Sequence, residues 1–306
     1  MRAFVIPGAR HDSVQLGHVP VPRVGPSELL VRVKAVGVGI HDSYFLPPDI
    51  SYPYPIGIEA AGVIDEVGSA VPGHRSGERI AFVSSMQQKG GTWAEYAIVR
   101  GDSLIVPIPE GLSFEQAAAV PVAGNTTLRA FHALAPIPAG GSIFVAGASG
   151  AIGTFVVQLA RAKGWEVAAS ASARNHDYLA SLGATKTVDY HDEHWPEEIR
   201  QWRSAGVDAA LAVQPQTTAD SLAVVKDGGT VVTISGDRVI PARGVKVVAP
   251  SYEVDVRGEL VALMEQIASG QVRLVIEHVY PFDEALAALA KVQTRRARGK
   301  VVLSLT

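Results

Sequence analysis

The stretch Val145-Ala-Gly-Ala-Ser-Gly-Ala-Ile-Gly153 constrains the fold of this chain more than any other. It follows the apolar run Ser142-Ile-Phe-Val-Ala146, which reads as a buried strand. It leads into residues 154–163, whose apolar spacing suits a helix ended by Gly164. Glycines at 147, 150 and 153 let the backbone turn sharply, approach a pyrophosphate without an intervening Cβ, and pack the helix close to the strand. Peptide N–H groups at the start of that helix then face the phosphates. Gly147, Ser149, Gly150, Ala151, Ile152 and Gly153 are therefore the expected cofactor-binding residues of the turn. The spacing is irregular, because Ala148 stands where the usual G-x-G-x-x-G has its first glycine.

About twenty residues past the turn, a site built to hold both ribose hydroxyls of NAD would place Asp or Glu at the end of the second strand. That strand, Glu166-Val-Ala-Ala-Ser170, runs instead into Ser170-Ala-Ser-Ala-Arg-Asn175. It ends in no carboxylate to repel a 2′-phosphate, and Ser172, Arg174 and Asn175 are hydrogen-bond donors for one. NADP(H) is the expected cofactor. A plain glycine turn followed by a solvated Ser/Arg/Asn loop is the alternative, and the order strand, turn, helix, strand argues against it.

A chain of 306 residues has the length for two domains, each with its own core. Hydrophobic residues at 47% and charged residues at 19% describe a globular protein and not a disordered one. The net charge of −3 recommends no nucleic-acid partner. Pro7 and Gly8 interrupt the first apolar run, and no stretch approaches eighteen apolar residues, so neither signal peptide nor membrane span is expected and the cytoplasm is the default compartment. Cysteine is absent, which removes disulfides, thiolate nucleophiles and every Cys-ligated zinc site. The close pair His191 and His194 sits in a charged loop with Asp192 and Glu193 and reads as solvated surface. Redox chemistry must then come from a bound organic cofactor.

Along the first hundred residues, runs such as 3–6, 29–36, 60–67, 79–83 and 93–99 read as short strands between Gly and Pro turns, spaced as in a barrel. From Ser113 onward helices alternate with apolar strands, as parallel βαβ units require. Candidate strands at 187–190, 207–213, 229–235 and 245–249 interleave with helices near 175–182, 195–203, 217–226 and 256–269, giving a doubly wound sheet of about six strands. The tail, with strands at 274–280 and 299–305 around the helix 284–292, reads as a return to the first domain.

Six segments carry a resemblance: Gly57-Ile-Glu-Ala-Ala-Gly-Val-Ile-Asp-Glu-Val-Gly68, Gly91-Thr-Trp-Ala-Glu-Tyr96, Val120-Pro-Val-Ala-Gly-Asn-Thr126, the glycine turn, Leu182-Gly-Ala184 before Val188-Asp-Tyr190, and Gly299-Lys-Val-Val302. In this order they resemble the medium-chain dehydrogenase/reductase superfamily and, within it, the zinc-free quinone oxidoreductases related to zeta-crystallin. The resemblance implies an α/β protein. Its GroES-like β-barrel domain would span 1–118 and 270–306, and its Rossmann NADP(H)-binding domain, a doubly wound parallel sheet, 119–269. It also implies an active site between the two domains and a homodimer formed through nucleotide-domain edge strands, with 245–249 as the run placed there. Zinc-dependent members carry ligands where this chain has Gly39 and Ile58, so oxidation through a zinc alkoxide is excluded on ligand chemistry.

The expected activity is NADPH-dependent, zinc-independent hydride transfer to a quinone or an activated alkene such as an enone or enal. A 2-enoyl thioester reductase and a non-catalytic NADPH-binding sensor or structural protein are the alternatives. By the resemblance, Tyr44 and Tyr52 fall where tyrosines lie near the nicotinamide, each able to hydrogen-bond an acceptor oxygen or relay a proton, while Tyr54 is equally a packing residue. Thr126 matches a contact on the nicotinamide side, and Tyr190 one near the adenine ribose and 2′-phosphate. Arg298 and Lys300 are placed to reach phosphates from the tail. His41 and Asp42 are the nearest acid/base residues, and Glu59 is a brace. The segment Asp208-Ala-Ala-Leu-Ala-Val-Gln-Pro-Gln216 departs from the family pattern, with Ala212 in place of a second acid and Pro215 stiffening the loop.

Overall fold

Short apolar runs broken by Gly and Pro fold as antiparallel strands, and the longer apolar alternation after Ser113 folds as a parallel βα array. A computed structural model of the chain describes residues 1–9 and 13–306. Two units result: Met1–Val122 with Arg257–Gln271 and Ile276–Thr306 (unit 1), and Ala123–Val256 with Val272–Val275 (unit 2).

Unit 1 begins with β1 (Arg2–Ile6), β2 (Gln15–His18), β3 (Glu28–Val38), β4 (Tyr54–Pro55), β5 (Glu59–Val67), β6 (Arg79–Val83), β7 (Tyr96–Arg100), β8 (Ile105–Pro107) and the short helix α1 (Phe114–Ala118). A small sheet has the order β2-β1-β4. The eleven-residue β3 organises the larger one, pairing antiparallel with both β5 and β7. Register shifts in the β3–β5 ladder bend the strands. The expected strand over 93–99 starts later, at Tyr96, because Trp93 is committed elsewhere. Its carbonyl accepts from Phe4 N–H at 2.8 Å, and its buried ring meets the edge of Phe4. α1 opens on a capping box, in which the Ser113 hydroxyl and the Gln116 side chain each accept from the other residue's backbone N–H.

The unit boundary falls in the first turn of α2 (Pro121–Ala133). Unit 2 continues with β9 (Ser142–Ala146), α3 (Ala151–Ala162), β10 (Glu166–Ser170), α4 (His176–Ser181), β11 (Lys186–Val188), α5 (Trp195–Trp202), β12 (Val207–Ala212), α6 (Thr217–Val224), β13 (Val225–Thr233) and β14 (Lys246–Val248). All six strands run parallel in the order β11-β10-β9-β12-β13-β14. Successive strand residues point to opposite faces, and the two cores follow that period. Ile143, Val145, Val167 and Ala169 pack against α2, α3 and α4, while Phe144, Ala146, Ala168 and Ala210 pack against α5 and α6. Phe144 stacks on Trp195 with ring centroids 5.0 Å apart. The doubly wound sheet is thus present, with β14 at one edge.

The remaining elements are α7 (Arg257–Ala268), β15 (Ile276–Pro281), α8 (Ala285–Gln293) and β16 (Lys300–Ser304), all in unit 1. Arg257 anchors α7 by donating to the Ser103 carbonyl at 3.0 Å. β16 pairs antiparallel with β3 and parallel with β15, so the tail does return to the first sheet. Among the described residues no helix is long and apolar enough to cross a membrane.

Candidate functional site

The glycine turn closes β9 and opens α3 at the point where strand order reverses, between β9 and β12, which is where ligands of such sheets bind. Gly147 has φ of 81°, a conformation that glycine adopts without strain. Gly153 serves packing: a Cβ there would lie 2.5 Å from Ala148 Cα and 2.6 Å from the Ala148 and Gly147 carbonyl oxygens. Gly150, the N-cap of α3, is different, since a Cβ there would meet nothing nearer than 3.6 Å. The turn therefore leaves room above Gly150, beside a twelve-residue helix whose first N–H groups lack intrahelical acceptors. These residues fit a dinucleotide pyrophosphate. Ser149, Ala151 and Ile152 are half-buried on the same turn, and Thr126 is half-buried within α2.

At the end of β10, Ser172, Arg174 and Asn175 form one tight turn. The Asn175 amide donates to the Ser172 hydroxyl at 3.2 Å, and the Arg174 side chain is exposed. The end of β11 brings a carboxylate that reading β10 alone missed. Asp189 Oδ2 accepts from Ala173 N–H at 3.0 Å, and Oδ1 takes the His191 backbone N–H at 3.0 Å and its ring Nδ1 at 2.7 Å. The His191 N–H, ahead of the opposing effect of burial, holds the Asp189 pKa below the usual carboxylate value. Both oxygens are thus engaged by N–H donors, and the 172–175 and 189–191 loops are locked together. Tyr190 lies half exposed with its ring 4.1 Å from that of His191, and the His191 side chain is exposed surface, as its charged loop suggested, while also contacting Asp189.

Asp208, first acid of the atypical segment, sits at the opposite end of the strands from the turn. It pairs with Lys226 and accepts from Ser142 N–H at 2.8 Å. Burial alone would raise its pKa, but Lys226 and Ser142 reverse the direction and lower it. Its role is to fasten β9, β12 and β13.

In unit 1, the sequence-derived catalytic tyrosines Tyr44 and Tyr52 are both exposed, at 60% and 41%. His41 packs its ring edge against Tyr44, centroids 5.3 Å apart. Tyr54 is buried and donates to the Gln87 carbonyl at 2.5 Å, and burial pushes its phenol pKa up to about 12. It is a packing residue. Asp42 is buried as well, accepting from Gly39 N–H at 2.8 Å and Trp93 Nε1–H at 3.1 Å. Desolvation outweighs these donors and the Lys300 charge, and its pKa rises to about 7.

Lys300, expected to reach phosphates, is instead buried against Glu59, whose other oxygen accepts from Val122 N–H at 2.7 Å. A buried ammonium is held where its charge is paired, so Lys300 is withdrawn from the phosphate set and Glu59 is the brace. Arg298 is exposed, with its backbone N–H on Glu277 at 3.0 Å. Among the described residues no three His, Asp or Glu side chains converge as a metal site.

Comparison with known proteins adds to this geometry. Residues 25–110 match the model described as an alcohol dehydrogenase GroES-like domain, and 182–303 match one described as a zinc-binding dehydrogenase. The chain lacks cysteine, and among its described residues no donor set corresponds to the zinc in that description. A 2-methylene-furan-3-one reductase of Solanum lycopersicum is 31% identical over 94% of this chain and 74% of its own length. A trans-enoyl reductase of Aspergillus terreus is 37% identical over 60% of this chain and 70% of its own. The crystal structure of Escherichia coli quinone oxidoreductase complexed with NADPH superimposes with a TM-score of 0.85 at 24% identity, covering 99% of each chain.

Proposed function

Because the chain belongs to the medium-chain dehydrogenase/reductase superfamily, we propose that it is an NADPH-dependent, zinc-independent reductase that transfers hydride to a quinone or an activated alkene. The observation that carries this reading is the open glycine turn between β9 and α3, followed by a β10 that runs into Ser172, Arg174 and Asn175 and not into an acid. Relatives named as a 2-methylene-furan-3-one reductase and a trans-enoyl reductase support the alkene arm, and a structural neighbour named as a quinone oxidoreductase in complex with NADPH supports the quinone arm and the cofactor.

When bound, NADPH supplies a hydride from C4 of its nicotinamide to an electron-poor carbon of the acceptor. The chain's own residues do the rest. The turn at 147–153 holds the pyrophosphate, with Ser149, Gly150, Ala151 and Ile152 lining it. Ser172, Arg174, Asn175 and Tyr190 take the 2′-phosphate and adenosine ribose, Thr126 steadies the nicotinamide side, and Arg298 contributes from the tail. Tyr44 and Tyr52 donate hydrogen bonds to the acceptor oxygen, stabilising the negative charge that develops there. Stabilisation by hydroxyl donors suffices for quinones and enones, which need no strong Lewis acid. The Aspergillus relative gives the 2-enoyl thioester alternative its support. The reading includes a homodimer in which β14, the edge strand of unit 2, pairs with its copy.

The test is NADPH and NADH oxidation, followed by loss of nicotinamide absorbance, with a panel of ortho-quinones, para-quinones, enones, enals and a 2-enoyl thioester. Turnover with NADPH is expected, and the best acceptor divides the quinone, alkene and thioester arms. Tight NADPH binding with no turnover of any acceptor would turn the reading toward a cofactor-sensing protein.

A further inference from the structure

The segment after β12, where this chain departs from the family pattern, places one side chain against the glycine turn. Val213 N–H donates to the Ala146 carbonyl at 3.2 Å, so the segment leaves the sheet directly beside the start of the turn. The Gln214 carbonyl then accepts from the Thr217 hydroxyl at 2.6 Å, Gln216 has φ of 69°, and Thr218 is fixed to Asp237 by a hydroxyl hydrogen bond of 2.9 Å. With Pro215 between them, this is a braced loop that presents Gln214 in one direction. That direction is the turn: a Cβ on Gly147 would lie 2.6 Å from Gln214 Cγ and 3.5 Å from its Nε2, and a Cβ on Gly150 would lie 4.0 Å from the same Nε2. Gly147 is required twice over, by its own φ and by the approach of Gln214.

We propose that Gln214 is a dinucleotide-binding residue of this chain, whose side-chain amide donates to the pyrophosphate held at the glycine turn; the inference rests on the cofactor reading above. A neutral amide suits this position. It offers two N–H donors to a doubly charged group and places no charge of its own beside it. The contact involves the part of the molecule that NADPH and NADH share, so Gln214 acts on both equally, unlike Arg174.

Dissociation constants for NADPH and NADH, measured by nicotinamide fluorescence on the full chain, test this in wild type, Gln214→Ala and Gln214→Glu, with thermal unfolding of each variant as the check on folding. Gln214→Ala is expected to weaken both dinucleotides by the same factor, roughly tenfold or more, as for a lost hydrogen bond to a charged group. Gln214→Glu keeps the side-chain shape and is expected to weaken both further, because its carboxylate faces the diphosphate. If Gln214→Ala binds both as tightly as wild type, or more tightly, the side chain is a bystander or an obstruction and the inference falls alone. If wild type binds neither dinucleotide, the cofactor reading falls with it.

Discussion

Burial of Asp42 ties the stability of the fold to pH. Its folded pKa of about 7 lies above the ordinary value of 3.8, with burial as the main cause. Between those two values the folded state binds more protons than the unfolded one, so the contribution to stability is complete below the unfolded pKa and is lost as pH rises toward 7. The difference corresponds to about 4 kcal/mol across that window. Asp42→Asn keeps an acceptor for Gly39 and Trp93 and cannot ionise. Its thermal midpoint is expected to stay level between pH 5 and pH 8 while that of wild type falls, and an equal fall in both proteins would mean that Asp42 does not titrate with folding. Arg174 makes a separate prediction. It is exposed and stands on the turn that holds Ser172 and Asn175. If it contacts the 2′-phosphate, Arg174→Ala weakens NADPH roughly ten- to a hundredfold, or about 1.5–3 kcal/mol, and leaves NADH nearly unchanged. Equal loss for both cofactors would make the residue structural.

At the scale of elements, the junction of β9 and α3 is held by close backbone approach. A Cβ at Gly153 would press on the Ala148 and Gly147 backbone, which has no flexible end to move aside. Gly153→Ala is therefore expected to lower stability by roughly 1–3 kcal/mol, the range for overpacking, and to weaken NADPH and NADH together as α3 is pushed from the turn. Calorimetric unfolding with paired binding measurements checks both, and a variant with unaltered midpoint and affinity would remove the packing role of Gly153. These elements were legible because β9, β10 and β12 are almost wholly apolar runs and the glycines punctuate them. β2, β4 and β8 were not, since two to four residues carry too little period to be told from loop. The late start of β7 had the same origin, in a Trp93 claimed by Phe4 and Asp42. In the candidate site, the turn and the 172–175 loop were local in sequence and readable. Asp189 beside Ala173, Gln214 over Gly147 and Lys300 on Glu59 join residues 16, 67 and 241 positions apart, and each depends on which strands become neighbours.

For the whole molecule, one chain combines a mainly antiparallel β unit bearing exposed tyrosines with a parallel α/β unit bearing the glycine turn. Cysteine is absent from both, and no described trio of His, Asp or Glu gathers in either. In the proposed reading the dinucleotide supplies the reducing power and the tyrosine hydroxyls stabilise the developing charge. Self-association through β14 predicts a dimer by analytical ultracentrifugation, lost when a proline replaces Val247 at the centre of that strand, because proline removes a ladder N–H. A monomeric wild type would put the dimer reading aside. The central claim is metal-independent reduction with NADPH. Its most direct test is the rate of NADPH oxidation with the best quinone or enone, before and after exhaustive dialysis against a strong chelator, with NADH in parallel. The account predicts an unaltered rate after dialysis and a preference for NADPH; loss of activity that added zinc restores would contradict it.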